Sequence, residues 1–552
     1  MRINLTSKTN FNLKKEREIH MKHMKKIASF VLAAIMVLAM VVPTFAANHK
    51  ISTSSTTHTY EIYQIFTGTV VDGNLTSLKY GENAKKGTKG NAVSAADITA
   101  LAAISDQGST VAQDQADIAA IKAFVDLSST PIAKVGKGQS GEASVAEGYY
   151  LIKDVDGSLA GTNEQYTLYL IEVLSSDLTI TPKAGTTTSV KKIDDINDST
   201  GTAENLQDSA DYDIGDYVPF HLTANTASNV SAYKTYHLTF EDTLESGKFD
   251  NISALTFKVN GVAITEFPYT DSVNGFKVTK TETVAPTKDG FTVKLTFEST
   301  TAGGLLPAYL NSKAVTIDFS AQLGENANIG QAGNVNTFVL KYSNNPNSTD
   351  DSEEGTTPED TVIAFTYKLI VNKQDEGGNA LTGATFSLYK KYATAPTGGT
   401  AYAGADDFKD KGYYLVKTIT GTDKSTFEFK GIDDGQYLLV EDTAPENYNK
   451  IDPQEFTVTA THTASTDIDK ASKKDGSGNY ILTNISGAQV VSSTITLTKI
   501  DDNSGLQTNV VNKSGATLPT TGGIGTTIFY VLGSILVLGA VILLATRRRM
   551  SR

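Results

Sequence analysis

The chain has no cysteine, no tryptophan and only 7 histidines in 552 residues. Without cysteine there is no disulfide staple and no thiolate nucleophile. The few histidines fall in no zinc or catalytic-triad spacing, and no G-x-S-x-G turn is present, so the usual hydrolase and metalloenzyme constellations are missing. Positive charge is also short: the formal net charge is −13. That balance argues against a nucleic-acid partner, because phosphate binding needs clustered cations. What the chain has in abundance is Gly, Thr, Ser, Asn and Asp, interrupting short runs of Val, Ile, Tyr, Phe and Thr. This is the pattern of β-sandwiches, with strands bounded by turn residues.

Long apolar runs occur at the two ends. Lys22, Lys25 and Lys26 precede an apolar run from Ile27 to Val42, followed by Pro43-Thr44-Phe45-Ala46-Ala47. A basic region, an apolar region and a small-residue exit make a secretory signal peptide over 1–46, cleaved after Ala46 or Ala47. Residues 1–20 read as an upstream extension, with Met21 or Met24 beginning a more ordinary signal. At the other end stand Leu518-Pro519-Thr520-Thr521-Gly522, an uncharged run from Ile524 to Ala545, then Arg547, Arg548, Arg549 and Arg552. The run is long enough to cross about 30 Å of hydrocarbon, and the arginines would hold the tail on the cytoplasmic side. Pentapeptide, span and basic stop, in that order, resemble the LPxTG sorting signal of Gram-positive surface proteins. The resemblance implies sortase cleavage between Thr521 and Gly522 and transfer of the acyl group to an amine.

Between the ends the length suits three domains. The first, 48–183, is mixed. Tyr60–Phe66 alternates like a strand, Ser94 to Ile104 reads as a helix with Ser94 and Asp97 in capping-box spacing, and Ile118, Ile121 and Val125 recur at helical intervals. The second, 184–350, carries strands at Phe220–Leu222, Tyr236–Phe240, Thr256–Val259, Phe291–Leu295 and Phe338–Tyr342. Asp350–Gly355 is acidic but fits no calcium-loop spacing, and reads as a solvated hinge. The third, 362–513, opens like the second: Val190-Lys191-Lys192-Ile193-Asp194 and Val371-Asn372-Lys373-Gln374-Asp375 both read V-x-K-x-D. Side chains alternate along a strand, so each Val shares a face with the Lys two residues on. On this phase Lys192, rather than Lys191, and Lys373 point toward a core. A core lysine is expensive unless it pairs or reacts. Leu497–Asp501 has similar spacing but too little chain follows for a fourth domain, and it reads as a strand of the third.

Leu381–Tyr389, Phe429–Ile432, Gly435–Glu441 and Ala444-Pro445 resemble the Cna-B-type domain of Gram-positive surface proteins. With the two ends, the whole chain resembles the major backbone subunit of sortase-assembled pili. The fold implied is mainly β: three tandem immunoglobulin-like sandwiches, the first with a helical insertion, and a cleaved signal and sorting segment (518–552). The resemblance further implies intradomain Lys–Asn isopeptide bonds assisted by an acid. Burial would strip the proton from the lysine and keep it on the acid, which then shuttles protons at the Asn amide. In the third domain these roles fall to Lys373, Glu441 and Asn512, with Asn484 as alternative. In the second they fall to Lys192, Asp242 and Asn344, with Asn345 adjacent. In the first, Gly148–Asp154 echoes Gly435–Glu441, but the strand at Tyr60–Phe66 has no lysine, so no crosslink is expected there.

Leu178–Lys183 ends in Thr-Pro-Lys and resembles the pilin motif Tyr-Pro-Lys, with Thr181 in place of Tyr. That resemblance makes Lys183 the amine that accepts Thr521 of the next subunit; Pro182 would keep the segment extended. Implied partners are pilin-specific and housekeeping sortases, identical subunits, minor pilins, peptidoglycan and host surface ligands, at the cell surface. No cofactor and no metal is implied. The competing reading is a monomeric wall-anchored adhesin or minor pilin built from the same domains.

Overall fold

A computed structural model describes residues 48–71, 74–104, 119–167, 170–174, 176–182, 186–347, 354–462, 482–489, 495–515 and 524–549. The expected leader 1–46, Ile118, the expected junction lysine Lys183 and the pentapeptide Leu518–Gly522 fall outside these residues. The described chain is mainly β, in three successive units followed by one apolar helix, Ile524–Arg549.

The first unit is built on the strand pair Thr59–Val71 and Gly148–Asp154. Both faces of this pair are covered. Tyr60, Ile62, Tyr150 and Ile152 meet Ile51, Val135, Val145 and Ile180 on one side. Tyr63, Ile65, Phe66, Tyr149 and Leu151 meet Ile121, Phe124 and Val125 on the other. The helix Ala95–Ile104 begins where the capping box places it: the Ser94 hydroxyl accepts from the Asp97 amide at 3.1 Å and donates to its carboxylate at 2.9 Å.

The middle unit is a sandwich of a seven-stranded and an eight-stranded sheet. Period-two alternation decides what faces inward. Tyr217–Asn225 buries Val218, Phe220, Leu222 and Ala224, and its neighbour Ala314–Leu323 buries Val315, Ile317, Phe319, Ala321 and Leu323. Each large side chain removed from water contributes about 1.5–3 kcal/mol. Of the stretch read as a hinge, the described residues Glu354 and Gly355 are part of this sandwich. Glu354–Thr356 pairs with Lys341–Ser343, and Asp360–Phe365 pairs with both Asn334–Phe338 and Ser209–Asp211. The Thr361–Phe365 run, buried throughout, is hydrogen-bonded into the middle sheet and serves both cores: Val362 and Ala364 pack in the middle unit, Ile363 and Phe365 in the third.

The third unit packs a four-stranded against a five-stranded sheet. Its first strand, Tyr367–Asp375, runs parallel to its last, Gly505–Asn512. Thr498–Lys499 pairs with Leu506–Gln507, as a further strand of this unit.

The middle and third units share a polar seam. Lys390 is fully buried and its ammonium donates to Asp213 at 2.7 Å, Asp198 at 3.0 Å and Asp433. Asp198 and Asp213 come from the middle unit, Lys390 and Asp433 from the third. Removing one partner of a buried ion pair strands the others, at about 3–5 kcal/mol. Lys390→Met is therefore expected to split calorimetric unfolding into separate lower and upper transitions. A single unshifted transition would show that the seam does not couple the units.

Candidate crosslinking sites

In the third unit Lys373, Glu441 and Asn512 lie together in the core. Lys373 and Asn512 sit on adjacent parallel strands, with Lys373 opposite Val510 and Asn512 two residues on, so both face the same way. Glu441 comes from Gly435–Thr443 in the opposing sheet. All three are buried. The Asn512 amide donates to both Glu441 oxygens, at 2.9 and 3.1 Å, and the Ile451 backbone amide donates to the same carboxyl at 2.9 Å. Among the described residues Lys373 Nζ donates to two backbone carbonyls, of Gln374 at 3.2 Å and Val510 at 3.3 Å. Burial pushes the Lys373 ammonium down to about 8, and burial pushes the Glu441 carboxyl up. Both shifts favour the neutral amine and the neutral acid. Asn484, the alternative, lies on Leu482–Gln489 in the other sheet, paired with Thr461.

The middle unit differs from expectation. On the strand Thr188–Asn197 it is Lys191, not Lys192, that enters the core, beside Ile193 and opposite Leu222. Val190 is only partly buried, so the face it shares with Lys192 is the outer one, and the analogy with Val371 is off by one residue. Lys192 is partly exposed and pairs with the buried Asp208. Lys191 is fully buried, pairs with Asp242, and has its ammonium 5.2 Å from the Phe220 ring centre and 5.6 Å from that of Phe319. Burial pushes Lys191 down and Asp242 up.

Asn344 is not at this site. Asp242 stands opposite Phe338 on the neighbouring strand, Asn334–Ser343. Asn344 lies six positions further along, on the order of 20 Å away at strand rise. It is a tie between units instead: its side-chain amide donates to the Leu159 carbonyl at 3.1 Å, and its own carbonyl accepts from the Tyr166 amide at 2.8 Å. Asn345 is taken up in the following turn, accepting from the Asn347 amide at 3.0 Å. The asparagine beside Asp242 is Asn336, two residues from Phe338 and on its face. It is fully buried, and neither its oxygen nor its nitrogen completes a well-formed hydrogen bond among the described residues. The signal was in the alternation: Asn336 shares its phase with Phe338, Leu340 and Tyr342, all fully buried. Asn344 shares that phase too, and only the strand register separates them.

In the first unit Asp154, the counterpart of Glu441, pairs with His58 at 2.8 Å and accepts from the Thr167 amide at 2.7 Å. The buried lysine there is Lys153, which pairs with Glu61 at 3.1 Å and Asp156 at 2.7 Å.

Residues 367–474 match the family described as a prealbumin-like fold domain (SpaA), and residues 510–551 match the LPXTG cell wall anchor motif. The C-terminal helix is long and apolar enough to cross a membrane over Ile528–Arg548. The chain carries an SpaA-type prealbumin-like domain and ends in an LPXTG cell wall anchor. Among its relatives is the trypsin-resistant surface T6 protein of Streptococcus pyogenes serotype M6, 24% identical over 452 residues, covering 73% of this chain and 74% of that one. Similar solved structures include the T6 backbone pilin of the same serotype (TM-score 0.48, 16% identity, 86% of this chain, 100% of that one). The full-length major pilin SpaD of Corynebacterium diphtheriae is another (TM-score 0.43, 16% identity, 86% and 99%).

Proposed function

We propose that this chain is the backbone subunit of a covalent surface fibre, stiffened by two internal Lys–Asn bonds. The observation that carries the internal chemistry is the buried set Lys373, Glu441 and Asn512. The neutral Lys373 amine attacks the Asn512 side-chain carbonyl carbon. Glu441 relays the amine proton to the departing nitrogen, ammonia leaves, and a Lys–Asn amide remains. Lys191, Asn336 and Asp242 support the same reaction in the middle unit, taking the places first assigned to Lys192 and Asn344. No external catalyst is required, and the step occurs once at each site.

Between subunits, a sortase would cleave after Thr521 and pass the acyl group to Lys183 of the next chain. The anchor motif supports the first half of this reading, and the Thr-Pro-Lys sequence supports the second.

Intact mass of the full-length chain tests the internal bonds. It should fall short of the sequence mass by two ammonias after any leader is accounted for. Lys191→Arg should restore one ammonia and Lys192→Arg none. A full deficit in Lys191→Arg, or no deficit in the parent chain, would remove the assignment.

A further inference from the structure

The seam between the middle and third units gathers carboxylates twice among the described residues. In the first cluster, Asp198, Asp213, Asp216 and Asp433, the Lys390 ammonium supplies the countercharge. In the second, Asp195, Asp211 and His462, the basic group among the described residues is the imidazole, which pairs with Asp195. Asp195 and Asp211 belong to the middle unit, on Thr188–Asn197 and Ser209–Asp211, and His462 ends the strand Gln454–His462 of the third.

We propose that Asp195, Asp211 and His462 form a binding site for one divalent transition-metal cation of the zinc class, bridging the two units. One potential ligand atom from each residue lies within 4.8 Å of the others. Closing on an ion with bonds of about 2.0–2.2 Å asks each donor to move by less than about 1 Å. The imidazole is already oriented. His462 Nδ1 lies 2.7 Å from the Ser209 hydroxyl, and Nε2 faces Asp195 at 3.4 Å. In the tautomer that donates an Nδ1 proton to Ser209, Nε2 turns its lone pair toward Asp195, and an ion between the two would replace the contact they make, the arrangement in which ligating histidines are usually held.

An independent sign comes from Asp211. It is 2% exposed, and its Oδ2 completes no well-formed hydrogen bond among the described residues, although the Tyr367 hydroxyl lies beside the carboxyl. A buried carboxylate oxygen without a donor is costly. A third carboxyl, Asp434, is close enough to add to the negative field and accepts from the Asn197 amide at 2.7 Å. One nitrogen and two or three carboxylate oxygens suit zinc or manganese better than calcium, which prefers oxygen alone.

Calorimetric titration of the chelator-treated full-length chain in detergent, with zinc chloride alone and calcium chloride alone, tests this. One zinc per chain should bind, with calcium at least tenfold weaker. His462→Gln and Asp211→Asn should each weaken zinc at least tenfold, while the metal-free melting temperature of Asp211→Asn stays level or rises. Absence of saturable zinc binding, preference for calcium, or unchanged zinc affinity in His462→Gln overturns the site. His462 sits at a strand end with its side chain 12% exposed, so that variant decides the matter if Asp211→Asn fails to fold.

Discussion

Glu441→Gln is expected to yield a folded chain in which Lys373 and Asn512 lie side by side but unbonded. Glutamine keeps the shape of the side chain and an oxygen for the Ile451 amide, which the carboxyl binds at 2.9 Å. It cannot take up and release a proton, so the ammonia has no route out. The expected mass is one ammonia above that of the crosslinked chain, once the substitution is allowed for. Stability should fall as well. A bond from residue 373 to residue 512 closes a loop comparable to the longest disulfide loops, for which the chain-entropy account gives about 4–5 kcal/mol. In a unit of this size each kcal/mol moves melting by about 2–4 °C, so the third unit should melt roughly 10 °C or more lower. A Glu441→Gln chain with the parental mass deficit would show that the acid is not needed, and the mechanism would have to be rewritten.

Lys183→Ala should abolish the ladder of high-mass species that a sortase-joined polymer leaves on a denaturing gel. The effect is all-or-none, because a subunit without the accepting amine cannot extend the chain. Lys191→Ala is the matched control. It removes a lysine nearby in sequence but buried in the core, and should leave the ladder while restoring one ammonia to the mass. A ladder that survives Lys183→Ala would place the junction at another lysine. A parent chain that forms no ladder beside its sortase would favour the monomeric adhesin.

The architecture was legible because it rests on local signals. Alternating strands, the Ser94–Asp97 cap and the final apolar run are each written in a few neighbouring residues. The grouping of Lys373, Glu441 and Asn512 could be named because the motifs around them fix strand identity and phase together. In the middle unit two choices depended on information that neighbours do not hold. Whether Lys191 or Lys192 turns inward depends on which face of Thr188–Asn197 packs on Phe220 and Phe319, and Val190 pointed the wrong way. Whether Asn336 or Asn344 meets Asp242 depends on register between strands. The seam was out of reach altogether: Asp195 and His462 are far apart in sequence, and nothing in the spacing of seven histidines brings them together.

The parallel pairing of Tyr367–Asp375 with Gly505–Asn512 decides how the third unit would respond to a pull along the fibre. Tension enters at the start of the first strand and leaves at the end of the last. Because the strands run the same way, these points lie at opposite ends of one ladder, which is loaded in shear: its hydrogen bonds resist together rather than unzipping one by one. Lys373 and Asn512 stand near the exit end. A bond between them would route the force from the first strand into Asn512 directly, and the chain from Gln374 to Val511 would hang off the force path, free to carry loops and binding surfaces without being stretched.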